Sequence, residues 1–321
     1  MKKWLLGSSI SAVAIYLLLQ NFDLREFERL KGKLDWKFLF FLIFSNLFAF
    51  LPFTFRWYYL LDKKISFASA YASSVIGVGL NMVLPARGGD VMRLVINKKD
   101  SGLTIPNLVS KIFLEKVMDL ATIVIIGASA LFLLGLGENK NLSLLYLSAF
   151  VLLAMFGGLI ALRVFLEPLR NFTRLLFRKL NKEDFYNHKM DHHLVEFSEF
   201  LKGRKLIGPV FYSFPTWLLG YAFNYWLVSQ LIGIEIHYVE TLLLMFVGAM
   251  GVAIPSAPSG IGVFHASVIS GFLLLGRESG EGFVFATVFH LAQFVILTSL
   301  AIVFYLLWTA FSKEDHRSKS N

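Results

Sequence analysis

Two blocks of charged residues stand inside apolar runs of this chain. In LPARGGDVMR, residues 84–93, they are Arg87, Asp90 and Arg93; in SKIFLEKVMD, residues 110–119, they are Lys111, Glu115 and Asp119. An ionised side chain at the centre of a hydrocarbon layer costs about 2.5–3.5 kcal/mol on insertion scales, so such groups pair, line a polar cavity, or do both. Lys111, Glu115 and Asp119 recur every four residues and fall on one stripe of a helix. Lys111 can then pair with Glu115, which leaves Asp119 for Arg87 or Arg93. With a helix start at Thr104-Ile105-Pro106, Asp119 lies about 20 Å along the axis, near a bilayer midplane. Arg87 precedes Gly88-Gly89, where a new helix is expected. Unpaired N–H groups and partial positive charge at a helix start suit an anion, and a guanidinium fork fits a phosphate. Asn81 belongs to the same block. An ion-pair network that only pins two helices together would use the same residues.

Other chemistries find less support. There is no cysteine, which removes disulfides and thiolate metal sites. No GxxxxGK[ST] loop, Ser-His-Asp set, zinc signature or two-aspartate loop is present. His188, His192 and His193 cluster in a polar stretch, where solvation is commoner than metal binding. His265 and His290 stand in apolar segments and could relay protons or simply pack. Trp57, Tyr58 and Tyr59 beside Arg56 read as an interfacial belt. No cofactor, metal or nucleic acid is expected.

The composition says what must carry these residues. Of 321 residues 56% are hydrophobic and 17% charged, with 33 Phe, and the mean hydropathy is +0.63. Such a chain cannot furnish a polar surface, so it is all-α and polytopic in a membrane. Apolar segments run at about 4–20, 38–61, 66–84, 104–136, 141–165, 209–232, 238–254, 261–276 and 283–310. Six can cross a bilayer, the first as an uncleaved span. The shorter 66–84, 238–254 and 261–276 flank two similar breaks, GVGLNMVLPARGGDVMRLVI (77–96) and GAMGVAIPSAPSGIGVFHASVI (248–269). Each has small residues, an aliphatic-Pro pair, a Gly pair or Gly-x-Gly, and a new helix-like stretch, starting near Gly88-Gly89 and near Ser259-Gly260. Proline stops a helix and glycine lets the chain reverse. We read two re-entrant hairpins in an inverted pseudo-repeat, a pattern that marks transporter binding sites; tight helix-packing turns would look alike.

The basic residues place the N-terminus, Lys63-Lys64, the first break, residues 163–205 and the C-terminal tail in the cytoplasm, despite five basic residues in the 21–37 loop. The +9 net charge is therefore a topology signal and an affinity for anionic lipid. One membrane domain spans 1–310, with halves at about 1–165 and 206–310. A connector, 166–205, is either an amphipathic surface helix or a solvated linker. A polar tail follows at 311–321.

NMVLPARGGDVMR followed by EKVMD resembles the membrane domain of the lysylphosphatidylglycerol synthase/flippase family. Asn81, Pro85, Arg87, Gly89, Asp90 and Arg93 match its first block, and Glu115, Lys116 and Asp119 its second. Arg56-Trp57 and PSAPSGIGVF are also similar to family motifs. The family often has Glu where His265 stands and Arg where Lys116 stands. The resemblance, with only a short tail beyond residue 310, implies the lipid-translocating half without a synthase domain. It implies a flippase, not an enzyme, of the cytoplasmic membrane. Its substrate would be an anionic or aminoacylated phospholipid or a polyprenyl lipid, and a lipid-modifying enzyme is a candidate partner. Arg87, Gly88, Gly89, Asp90, Arg93, Lys111, Glu115, Asp119, Asn81, Ser259, Gly260 and His265 would form the substrate site. An intramembrane transferase acting on a lipid phosphate and a membrane scaffold are the rivals.

Overall fold

The computed structural model describes residues 34–84, 87–136, 204–253 and 260–318, with side chains to residue 310, and scattered positions from 157 to 191. The span expected at 4–20, nearly all of 141–165, the connector apart from a helical stretch at 170–179 and a few other positions, the three loop histidines and Ser259 lie outside the described residues. Among those described, nine α-helices and no strands are found.

Three helices are long and apolar enough to cross a membrane. The first, α1 (Trp36–Leu60), starts where the Asp35 side chain accepts the Lys37 N–H. The second, α4 (Ile105–Leu133), starts at Thr104 with Pro106 in the first turn, where the missing N–H costs nothing. The third is the apolar part of α9 (Ser279–Ser318). The span expected at 209–232 is one continuous helical run of three parts. They are α5 (Ile207–Pro215), a π-helical stretch Thr216–Ala222, and α6 (Phe223–Leu231). Pro215 cannot donate to the preceding turn. The chain widens just after it, and the Thr216 hydroxyl donates back to the Tyr212 carbonyl at 2.7 Å.

Two helix pairs separate these long elements: α2 (Phe67–Asn81) with α3 (Gly88–Ser101), and α7 (Tyr238–Ala253) with α8 (Val263–Leu274). Each helix has 12 to 16 residues, about 18–24 Å, short of the roughly 30 Å hydrocarbon layer. α2 ends at Asn81, before Leu84-Pro85, with turns continuing to Leu84. The second hairpin also differs from expectation. Its new helix starts at Val263, because Gly260 and Gly262 hold φ of 72° and 86° and delay it.

Small residues set the spacing. A Cβ on Gly89 would fall 1.9 Å from the Gly77 carbonyl oxygen, so α2 and α3 touch backbone to backbone. Gly79 meets the Leu297 carbonyl of α9, and Gly127 of α4 meets the Phe246 ring of α7. The main apolar core lies among α4, α6, α7, α8 and α9, around Leu243, Val268, Phe272 and Phe285. A second core, around Trp57, Leu108 and Leu114, joins α1 to α4. Phe40, Phe48, Leu291 and Ile302 are exposed, as expected of a face turned to lipid.

Gly89→Ala should destabilise the protein. In an open helix the change would stabilise by about 1 kcal/mol. Here the overpacking costs about 1–3 kcal/mol, and thermal unfolding in detergent should show a lowered midpoint.

Candidate functional site

The blocks that the sequence singles out converge where α3 packs on α4 and α1. Arg93 and Glu115 form a bidentate pair, Nη1 to Oε1 at 2.8 Å and Nη2 to Oε2 at 2.9 Å. Both side chains are buried. Arg56 of α1 completes the group: its Nη1 lies 2.5 Å from Asp119 Oδ1 and its Nη2 3.8 Å from Glu115 Oε2. Lys116 Nζ stands 3.4 Å from Glu115 and 4.0 Å from Asp119. Asp119 also accepts the Trp217 indole N–H at 2.8 Å. Arg56 donates to the Ser213 hydroxyl at 3.2 Å, which itself donates to the Pro209 carbonyl.

The pairing corrects three expectations. Lys111 does not pair with Glu115 but with Asp62, at 3.8 Å, where Lys205 also binds Asp62 at 2.9 Å. Asp119 takes neither Arg87 nor Arg93. A carboxylate facing a guanidinium from another helix gains two parallel hydrogen bonds, more than an i,i+4 lysine offers. Arg56 and Trp57 are not an interfacial belt; both are fully buried. The Arg93 guanidinium lies 3.8 Å from the Trp57 ring centre and 4.9 Å from that of Phe53. Arg56 lies 5.0 Å from the same Phe53 ring, so one aromatic ring serves both cations.

Two buried arginines, with Lys116 partly exposed at the edge, thus meet two carboxylates. The Arg56 Nε and Nη2 and the Arg93 Nε are buried without a hydrogen-bond acceptor. Unsatisfied buried donors on charged groups are costly.

The hairpin tip is built differently. Arg87 occupies the N-cap position of α3 with φ of 56° and makes no side-chain cap; it is exposed. The cap is supplied across the hairpin. The Asn81 carboxamide accepts the Asp90 backbone N–H at 3.2 Å and donates to the Asp90 carboxylate at 3.0 Å. Asn81, Gly89 and Asp90 therefore close the turn, which the sequence motif alone does not distinguish from ligand binding. Tyr221, on the π-helical stretch, stacks its ring on that of Trp217 with centres 4.4 Å apart. Gly260 and His265 stand at the start of the second hairpin's return helix. The His265 ring faces His290 with centres 5.4 Å apart.

The expected site left out Arg56 and Lys116, although both stand in stretches similar to family motifs, and it left out Ser213 and Trp217. Arg56 carried a signal, since it too is a charge within an apolar run. Ser213 and Trp217 carried none.

A family model described as the lysylphosphatidylglycerol synthase TM region matches residues 4–301. The chain belongs to this family. Comparison with curated proteins and with solved structures gives no match. In this member of the family, one residue from each motif block joins α3 to α4: Arg93 from the first and Glu115 from the second.

Glu115→Leu alone should destabilise by about 3–5 kcal/mol, because it strands two buried guanidinium groups. Adding Arg93→Met should recover part of that loss. Chemical unfolding of the two single variants and the double variant measures the coupling.

Proposed function

We propose that this membrane domain moves a polar-headgroup lipid between the leaflets of the cytoplasmic membrane and does not alter it chemically. The observation that carries the reading is the set of buried, acceptor-less guanidinium donors on Arg56 and Arg93, in a cluster with one excess cation. A phosphate oxygen is the acceptor such donors fit best. In this reading Arg87, exposed at the hairpin tip in a sparsely populated backbone conformation, meets the phosphate first. Strain of that kind persists where the surrounding fold enforces it and is common at functional sites. Gly88 and Gly89 lend the first N–H groups of α3, which lack intrahelical acceptors. Glu115 and Asp119 hold the arginines in place and can meet a cationic headgroup.

The two helix pairs are too short to cross, so we place them as re-entrant hairpins entering from opposite faces. The spans expected at 4–20 and 141–165, the three long helices and the run 207–231 would make six. Both termini would be cytoplasmic, with Lys63, Lys64, Lys98 and Lys99 at the anionic surface. Membrane lipids are the partners; a lipid-modifying enzyme could supply the substrate.

The test uses purified full-length protein in vesicles of phosphatidylcholine and phosphatidylglycerol with a trace of fluorescent phosphatidylglycerol. Leaflet-selective quenching follows its relocation. Wild type should accelerate relocation and return the lipid unchanged. Arg87→Ala, which removes charge-assisted hydrogen bonds of about 1.5–3 kcal/mol, should slow it roughly ten- to hundredfold. Chemical conversion of the lipid, or equal rates in empty vesicles, would overturn the proposal.

A further inference from the structure

Beside the charge cluster lies a second polar assembly that lipid binding does not use. Asn46 of α1, Thr216 and Tyr221 of the π-helical stretch, Asn224 of α6 and Gln293 of α9 line a cavity of about 30 Å³, together with Phe53 and other apolar side chains. Asn46, Thr216, Asn224 and Gln293 are each less than 7% exposed. The Asn224 amide donates to Asn46 Oδ1 at 3.1 Å, and Asn46 donates to the Leu42 carbonyl at 2.8 Å. That leaves an acceptor, Asn224 Oδ1, and a donor, Gln293 Nε2, buried and unpartnered. A cavity of this size has room for about one or two waters, and both groups are on its wall. The Phe53 ring on its wall is the ring that Arg56 and Arg93 share.

Along α9 from Gln293 a further polar group follows. His290 and Gln293 are three residues apart on α9 and share a face. The His290 ring stacks on His265 of α8, with an interplanar angle of 23°. His265 Nδ1 and His290 Nε2 are both buried with no hydrogen-bond partner. A neutral imidazole carries one donor and one acceptor nitrogen, so the pair can take up a proton that the membrane interior otherwise excludes.

The surroundings supply no counter-ion. Within α8, His265 is the sole titratable residue, and His290 is the sole one from 282 to 304 of α9. On α7, Tyr238 and Glu240 sit at the far end, where Glu240 faces Arg277 at 3.8 Å. On α6, Tyr225 packs its ring on Phe285 and Phe289. On α2, which also packs against α9, the Tyr71 hydroxyl donates to the Leu47 carbonyl. Among the described residues no carboxylate or cation pairs with either imidazole. A proton bound here is therefore an uncompensated charge in the α8–α9 seam, and it opposes the close packing of the second hairpin on α9.

We propose that His265 and His290 form a proton-binding site, and that proton entry at the α8–α9 seam drives the lipid movement proposed above, on which this inference rests. The proton adds to an unpartnered ring nitrogen of one histidine. It leaves past Gln293, toward the cavity that adjoins Phe53.

The experiment uses the same phosphatidylcholine/phosphatidylglycerol vesicles with a roughly tenfold proton gradient imposed across them. Relocation of the fluorescent phosphatidylglycerol by wild type should accelerate several-fold. The acceleration should vanish in His265→Gln and in His290→Gln, with both variants checked for monodispersity and an intact unfolding transition. Acceleration by a sodium gradient instead, or retention of the proton response in both variants, would overturn the proposal. A separate readout does not depend on lipid movement: nitrogen NMR of histidine-labelled full-length protein in nanodiscs. The two ring signals should titrate together, and His290→Gln should shift the midpoint of His265. If wild type moves no lipid, the flippase reading fails. The NMR then decides the site alone, and two independent or non-titrating rings overturn it.

Discussion

Arg93 and Glu115 meet face to face in an apolar interior, and the arrangement of the first half of the chain follows from keeping them together. Neither charge can be left alone in such a place, so α3 must lie against α4 at one register. α2 is bound to α3 through the backbone contact of Gly77 with Gly89 and through Asn81. The whole first hairpin is therefore positioned by that pair. Arg56 extends the constraint to α1, and its link to Ser213, with that of Trp217 to Asp119, extends it to the helical run of the second half. Hydrophobic burial holds these helices together without selecting a register. The charges select it.

The same cluster explains the unusual local features around it. The π-helical stretch after Pro215 carries Trp217 and Tyr221; Trp217 reaches Asp119 and Tyr221 stacks on Trp217. π-bulges are often found at functional sites for this reason. Phe53 and Trp57 are π-faces for two desolvated guanidinium groups rather than ordinary core residues. Among the described residues, the buried groups left unsatisfied include isolated hydroxyls and the Trp57 indole N–H and, around the cluster and the second hairpin, the guanidinium Nε and Nη2 donors, the amide pair Asn224 and Gln293, and the two facing imidazoles. The guanidinium, amide and imidazole groups are those on which the functional proposals rest.

Much of this was readable from the chain. Charges within apolar runs marked Arg93, Glu115 and Asp119, and their helical spacing placed the last two on one stripe. Pro and Gly marked both hairpins, although α2 ended before Pro85 and α8 began after Gly262. The partner of each charge was not readable. Lys111 at i,i+4 from Glu115 was the local candidate, and it lost to an arginine 22 residues away on a facing helix. Arg56 was misplaced because an Arg-Trp-Tyr-Tyr string near a helix end has the composition of an interface, whereas burial is set by what packs over it.

The amino-acid sequence by itself determined that this is a helical membrane protein, where its helices break, which charges are anomalous, and to which family it belongs. These depend on local periodicity, on backbone stereochemistry at Pro and Gly, and on the cost of charge in hydrocarbon. Tertiary structure alone decided which charges neutralise one another, that Asn81 caps a neighbouring helix, and that His265 meets His290. Each of those contacts joins residues on different helices, and their meeting depends on how the helices pack, which no local pattern records.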